Sequence, residues 1–187
     1  MEFQRVAVIG VPGAGKSTVS RELGEILGLT VTHLDALFWQ PNWQETSLAD
    51  WITRQRELVG RTRWLIDGSY NRTLAIRLER ADLVVFLDFS TWRCLWRVGK
   101  RWWVYRGQIR PDVAAGCKER IDLEFLRFVW SYRCQKRPML LEQLRKYSGH
   151  TVALHNPRQV KAFLATLRQG DLARNELTRV EGMERYQ

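Results

Sequence analysis

The sequence predicts an α/β fold in which a parallel sheet is covered by helices on both faces. Three observations carry that prediction. Short apolar runs alternate along the chain with segments of helical periodicity. The run over residues 81–89 is continuously apolar, as suits a strand buried on both faces. The first such run leads directly into a glycine-rich loop and then a helix, over residues 5–27.

That loop, residues 10–18, reads Gly-Val-Pro-Gly-Ala-Gly-Lys-Ser-Thr and fits G-x-x-x-x-G-K-[ST], the phosphate-binding loop. Gly13 and Gly15 permit a tight turn and close approach of backbone to a polyphosphate. The N–H groups of Gly10, Gly13, Ala14 and Gly15 then form an anion-binding nest at a helix N-terminus. Lys16 reaches phosphate as a point charge, the Ser17 hydroxyl suits Mg²⁺, and Thr18 adds a donor. A nucleoside triphosphate with Mg²⁺ is the ligand this pattern predicts.

The remaining elements follow in order. Val19, Leu23, Ile26 and Leu27 recur at helical spacing until Gly28. Residues 30–35 read as a second strand ending in Asp35, followed by an aromatic loop from Ala36 to Trp43 interrupted by Pro41. Ser47 with Asp50 opens a helix running to Gly60. A third strand over 63–68 carries Asp67 near its end, and a short helix holds Leu74, Ile76 and Leu78. After the fourth strand, with Asp88 near its end, Ser90 or Thr91 caps a helix bearing two stripes. Trp92, Leu95, Trp96, Gly99 and Trp103 mark one face; Arg93, Arg97 and Arg101 stand four apart on another. Residues 107–116 break the pattern and predict a mobile loop. Helices are expected over 118–134, from Pro138 to near Gly149, and from Pro157, with a fifth strand over 151–154. Beyond Gly170 the chain is charged and weakly periodic.

Composition narrows the function classes. In 187 residues, 45% hydrophobic and 27% charged, there is no run suited to a membrane helix and no signal-peptide pattern. Cys94, Cys117 and Cys134 form no C-x-x-C pair, so neither a disulfide framework nor structural zinc is suggested. A cytoplasmic protein is expected. The net charge of +10 suits phosphorylated ligands or a nucleic-acid backbone, and residues 91–110 contain six Lys and Arg with no acid.

Taken together, the phosphate loop, His33-Leu34-Asp35, the Phe-Trp-Gln-Pro-Asn-Trp run over 38–43, Asp67-Gly68-Ser69-Tyr70 and the Arg-rich helix resemble adenylate-kinase-like P-loop kinases. With Arg110-Pro111-Asp112 and Gly116-Cys117-Lys118-Glu119, the chain resembles more narrowly the group known as DNA topology modulation proteins. The resemblance runs from about Arg5 to Leu167. It implies a five-stranded parallel sheet of the nucleoside-monophosphate-kinase type in one domain, 1–169. A substrate-binding insertion over about 36–62, a lid over about 97–120 and a charged tail over 170–187 complete that plan.

By the same resemblance, Asp67 helps hold Mg²⁺; Asp67 is preferred to Asp88 because the following Gly68 permits close approach of a ligand. The resemblance also has Arg97 and Arg101 reach the transferring phosphoryl group. Arg106 and Arg110 join them on lid closure, and the segment containing Asn156 and Arg158 seats the donor base. Asp35 is placed to accept a proton from an acceptor hydroxyl. Phe38 and Trp39 stand where adenylate kinases place an arginine for the acceptor phosphate, so AMP is not the expected acceptor. The implied activity is ATP/Mg²⁺-dependent phosphoryl transfer to a small-molecule or nucleotide acceptor. The rival is a nucleic-acid-associated NTPase using the basic, Trp-rich helix, with weak nucleic-acid binding through the basic surface in either case.

Overall fold

The computed structural model describes residues 3–109, 112–117 and 122–170. The sheet is parallel, five-stranded and ordered β2-β5-β1-β6-β7. Its strands are β1 (Arg5–Gly10), β2 (Val31–His33), β5 (Trp64–Asp67), β6 (Leu83–Leu87) and β7 (His150–Leu154). Between β2 and β5 lie α2 (Leu34–Phe38), a small hairpin of β3 (Trp39–Gln40) and β4 (Gln44–Glu45), and α3 (Leu48–Gly60). The other helices are α1 (Lys16–Leu27), α4 (Leu74–Leu78), α5 (Thr91–Tyr105), α6 (Leu123–Gln135), α7 (Arg137–Lys146) and α8 (Pro157–Gln169).

Alternation along the strands divides the core into two layers, because successive side chains point to opposite faces of a sheet. Val6, Val8, Leu83, Val85 and Leu87 pack with Leu23 of α1, Val98 of α5, Val129 of α6 and Phe163 of α8. Ala7, Ile9, Ile66, Val84 and Phe86 pack with Trp51 and Leu58 of α3, Leu74 of α4 and Leu140 of α7. Burial on both faces explains why β1 and β6 read as continuous apolar runs.

Several local expectations need correction. The second strand ends at His33, and Asp35 sits in the first turn of α2 rather than at a strand end. The expected aromatic loop contains the β3–β4 hairpin, with Pro41 at its turn, where the missing N–H costs no ladder bond. On α5, where the sequence left open which stripe is buried, hydrophobicity does not decide. Trp92, Trp96 and Trp103 are 71%, 66% and 74% exposed, while Cys94 and Val98 are buried and Arg97 and Arg101 half-buried. Arg97 and Arg101 face inward, against the phosphate loop and α6, while Arg93 is exposed.

The loop expected to be mobile is docked over 112–117. Cys117 is buried, its Sγ donates to the Gln40 carbonyl at 3.2 Å, and the Asn42 N–H donates to the Gly116 carbonyl at 3.4 Å. Arg110, Ile121 and the charged stretch 171–187 lie outside the described residues.

Candidate active site

The phosphate loop leaves β1 at the centre of the sheet and enters α1, so its N–H groups gather beyond the carboxyl ends of the strands. Ligands of open α/β sheets bind at that rim. Lys16 Nζ donates to the carbonyls of Gly10 at 3.1 Å and Val11 at 3.3 Å, which folds the lysine over its own loop. The Ser69 hydroxyl, just after β5, accepts from the Gly10 N–H at 3.0 Å and ties the loop to the neighbouring strand. Ser17 Oγ donates to Asp112 Oδ2 at 2.8 Å. Thr18 is exposed on the first turn of α1.

Among the expected lid arginines, Arg97 reaches the loop. Its Nη1 donates to the Ala14 carbonyl at 3.0 Å, and the guanidinium lies against Gly15. Arg101 instead lies over the Phe125 ring, 5.9 Å from its centroid, and Arg106 lies over Trp102 at 5.3 Å. Asn156 caps α8 by accepting from the Gln159 N–H at 3.0 Å, and Arg158 is exposed in the first turn of that helix.

The acids at the rim have different partners. Asp67 Oδ2 meets His33 Nδ1 at 2.7 Å, and this hydrogen bond holds the His33 imidazole above its ordinary pKa against the opposing effect of burial. Asp88 is clamped by Arg137 through Nε at 2.9 Å and Nη2 at 2.7 Å, a bidentate ion pair with both side chains largely buried. Asp35 Oδ1 accepts from the Tyr70 hydroxyl at 2.7 Å. Burial, then the Asp35 charge, pushes the Tyr70 phenol far above its usual range, so it remains a donor.

Gly68 was expected to give a ligand room beside Asp67. Its φ is +137°, and a Cβ there would stand 2.8 Å from the Leu34 Cβ. The glycine therefore serves the close packing of the β5 exit on the start of α2, which fixes Asp35 beside Tyr70.

Residues that the sequence reading did not single out complete the site. Arg77 is fully buried and donates to the carbonyls of Gly68 and Ser69. Desolvation lowers its guanidinium to about 10. Ser69 and Tyr70, named in the sequence only within the run over 67–70 and given no role there, and Arg137, not named at all, likewise act through contacts between distant segments.

The residues present fit a magnesium nucleotide. Gly10, Gly13 and Gly15 hold positive φ in a cradle where a Cβ would collide with backbone or with Arg97. A hydroxyl and carboxylates stand nearby as the oxygen donors that Mg²⁺ prefers. Among the described residues no three Asp, Glu, His or Cys side chains form a metal cage, so phosphate and water would complete such a site.

Solved structures share this architecture. Shikimate kinase from Acinetobacter baumannii, in complex with shikimate, is 21% identical with a TM-score of 0.57, over 92% of this chain and 95% of its own. The fold is that of a P-loop kinase. Shikimate kinase from Bacteroides thetaiotaomicron is 14% identical with a TM-score of 0.55, over 89% of this chain and 97% of its own. A sugar kinase from Janibacter is 16% identical with a TM-score of 0.51, over 90% of this chain and 96% of its own. No family model matches the chain, and no curated protein matches it. No helix among the described residues is long and apolar enough to cross a membrane.

Proposed function

We propose that this chain is an ATP-dependent phosphotransferase that moves the γ-phosphoryl group to a small-molecule hydroxyl or a nucleotide acceptor. The observation that carries the proposal is the Arg97 guanidinium of α5, held on the phosphate loop by the Ala14 carbonyl and beside Gly15. Phosphoryl transfer depends on positioning and charge stabilisation more than on covalent chemistry by the protein. An arginine at that place serves the transferring group.

In this mechanism the loop N–H groups and Lys16 bind the donor phosphates, with Lys16 turning from the Gly10 and Val11 carbonyls to phosphate oxygens. Ser17 and Asp67 would hold Mg²⁺, which neutralises phosphate charge when bound. Asp35, aimed by Tyr70, accepts the proton of the acceptor hydroxyl. Arg101, Arg106 and Arg110 add positive charge when the acceptor site closes, and Asn156 and Arg158 border the donor base. The solved kinases of similar fold support the phosphotransferase reading, and the shikimate and sugar kinases among them suggest a hydroxyl acceptor.

A second reading, the nucleic-acid-associated NTPase of the topology modulation group, rests on the exposed tryptophans of α5. Lys100 lies over the Trp96 ring at 5.5 Å, and the face combines stacking surfaces with cations.

One assay separates the readings: ADP formation in Mg²⁺ and ATP, against nucleosides, nucleotides and small hydroxyl compounds, with duplex or single-stranded DNA in parallel. Acceptor-dependent ADP formation with a phosphorylated product is expected. Stimulation by DNA alone, surviving moderate salt, would overturn the phosphotransferase reading.

A further inference from the structure

The 2.8 Å hydrogen bond from Ser17 Oγ to Asp112 Oδ2 joins residues 95 positions apart. It brings an acid from the expected lid onto the hydroxyl that the phosphate-loop pattern reserves for a metal ion. The segment carrying Asp112 is held in place from the other side of the site. Val113 and Cys117 are buried, Cys117 donates to Gln40, and the Gly116 carbonyl accepts from Asn42. Gly116 packs so closely on the hairpin turn that a Cβ would stand 3.0 Å from the Pro41 Cβ. One six-residue segment, 112–117, thus touches the β3–β4 hairpin at one end and the phosphate loop at the other.

The charge balance makes this carboxylate distinctive. Residues 91–110 contain no acid, so Asp112 is the first one after Asp88 in a strongly basic stretch. A magnesium site needs only one or two protein carboxylates beside phosphate and water.

We propose that Asp112 is a metal-side carboxylate, delivered to the Mg²⁺ of the donor nucleotide by the docked 112–117 segment. Docking on the hairpin and metal binding at Ser17 are therefore coupled, so the acceptor-side insertion helps to assemble the donor-side metal site. The proposal rests on the phosphotransferase reading of the phosphate loop.

The test measures binding rather than turnover, with Mn²⁺ as the metal and a non-hydrolysable ATP analogue. Its affinity is determined with Mn²⁺ and in EDTA, for the full chain and for Asp112→Asn, Ser17→Ala, the double variant and Gly116→Val. Asp112→Asn is expected to remove about 10–100-fold of the metal-dependent gain in affinity, the usual effect of losing a group that supports a metal site. Affinity in EDTA is expected to stay unchanged. The double variant should lose less than the sum of the single losses, as residues serving one ion do. Gly116→Val, far from Ser17 in the chain, should reproduce the loss by undocking the segment.

A metal-dependent gain unchanged in Asp112→Asn would overturn the proposal. A larger gain would also overturn it, by showing that Asp112 blocks the Ser17 hydroxyl. An intact gain in Gly116→Val would overturn the coupling to the hairpin. A wild-type chain that binds the analogue in neither condition would fail the phosphotransferase reading itself, and the proposal with it. Manganese-independent binding by the wild type would overturn the metal role while leaving a nucleotide site.

Discussion

The Arg97 guanidinium occupies the space that a side chain on Gly15 would need. A Cβ on Gly15 would stand 2.6 Å from Arg97 Nη2 and 3.0 Å from its Cζ, at a backbone φ of +89°. The left-handed conformation requires the glycine, and a Cβ there would also displace the Arg97 guanidinium. Gly15→Ala is expected to strain the loop by about 1–3 kcal/mol and to expel the guanidinium. Nucleotide affinity should fall by at least about tenfold, the equivalent of about 1.4 kcal/mol. Isothermal titration with an ATP analogue checks this, and an unaltered affinity would show that the loop relaxes without cost.

Arg97 and Arg101 lie one turn apart on α5 and face different partners, the Ala14 carbonyl and the Phe125 ring. If the contact with the loop reflects service to the transferring group, Arg97→Ala should depress turnover by about 10³-fold or more while ATP affinity changes little. Arg101→Ala should have the smaller effect. Arg97→Lys should not restore the rate, because an ammonium lacks the guanidinium fork. Single-turnover kinetics with a measured nucleotide Kd decides the matter, and equal losses in rate and affinity would count against a transition-state role.

Asp35 and Tyr70 form the corresponding pair on the acceptor side. The Tyr70 ring is fixed by Phe38 at 4.8 Å and Trp51 at 5.0 Å between centroids, so its hydroxyl is aimed rather than free to rotate away. Asp35→Asn should lower turnover by about 10²–10⁴-fold, the usual contribution of a positioned base, with nucleotide affinity retained. Tyr70→Phe should cost less. The Tyr70 hydroxyl donates to Asp35 Oδ1 at 2.7 Å, so its loss leaves the carboxylate charged but less firmly held. A Tyr70→Phe turnover equal to the wild type's would exclude this aiming role.

The sequence made the sheet legible because burial on both faces leaves continuous apolar runs, as in residues 83–87, and glycine and proline punctuate the rest. The phosphate loop was legible because its chemistry is local: nine adjacent residues contain the cradle, the lysine and the hydroxyl. What lay beyond reach is chemistry assembled from distant segments. Asp112 reaches Ser17 across 95 positions, Arg137 reaches Asp88 across 49, and Tyr70 reaches Asp35 across 35. On α5 the periodicity marked two stripes without deciding which one is buried; Arg97 and Arg101 are half-buried, as a role at the phosphate loop requires, while Trp92, Trp96 and Trp103 face outward. The cost of that inversion is tolerable where guanidinium groups meet loop carbonyls and an aromatic ring instead of bare hydrocarbon.

Arg77 gives the same lesson a thermodynamic form. On α4 it stands among Leu74, Ile76 and Leu78, yet its side chain is fully buried and its guanidinium donates to the Gly68 and Ser69 carbonyls. Those two carbonyls belong to the turn that fixes both Asp67 and the Ser69 contact with Gly10. Arg77→Ala would leave one buried and one part-buried acceptor without donors and open a cavity, a combined cost of about 3–5 kcal/mol. For a chain of this size each kcal/mol lowers the melting temperature by about 2–4 °C. Arg77→Lys should recover only part of the loss, since one ammonium replaces a planar fork and is more costly to desolvate. Thermal unfolding of the two variants, followed by circular dichroism, measures both effects. A melting temperature unchanged in Arg77→Ala would mean that water or another side chain takes over the two carbonyls.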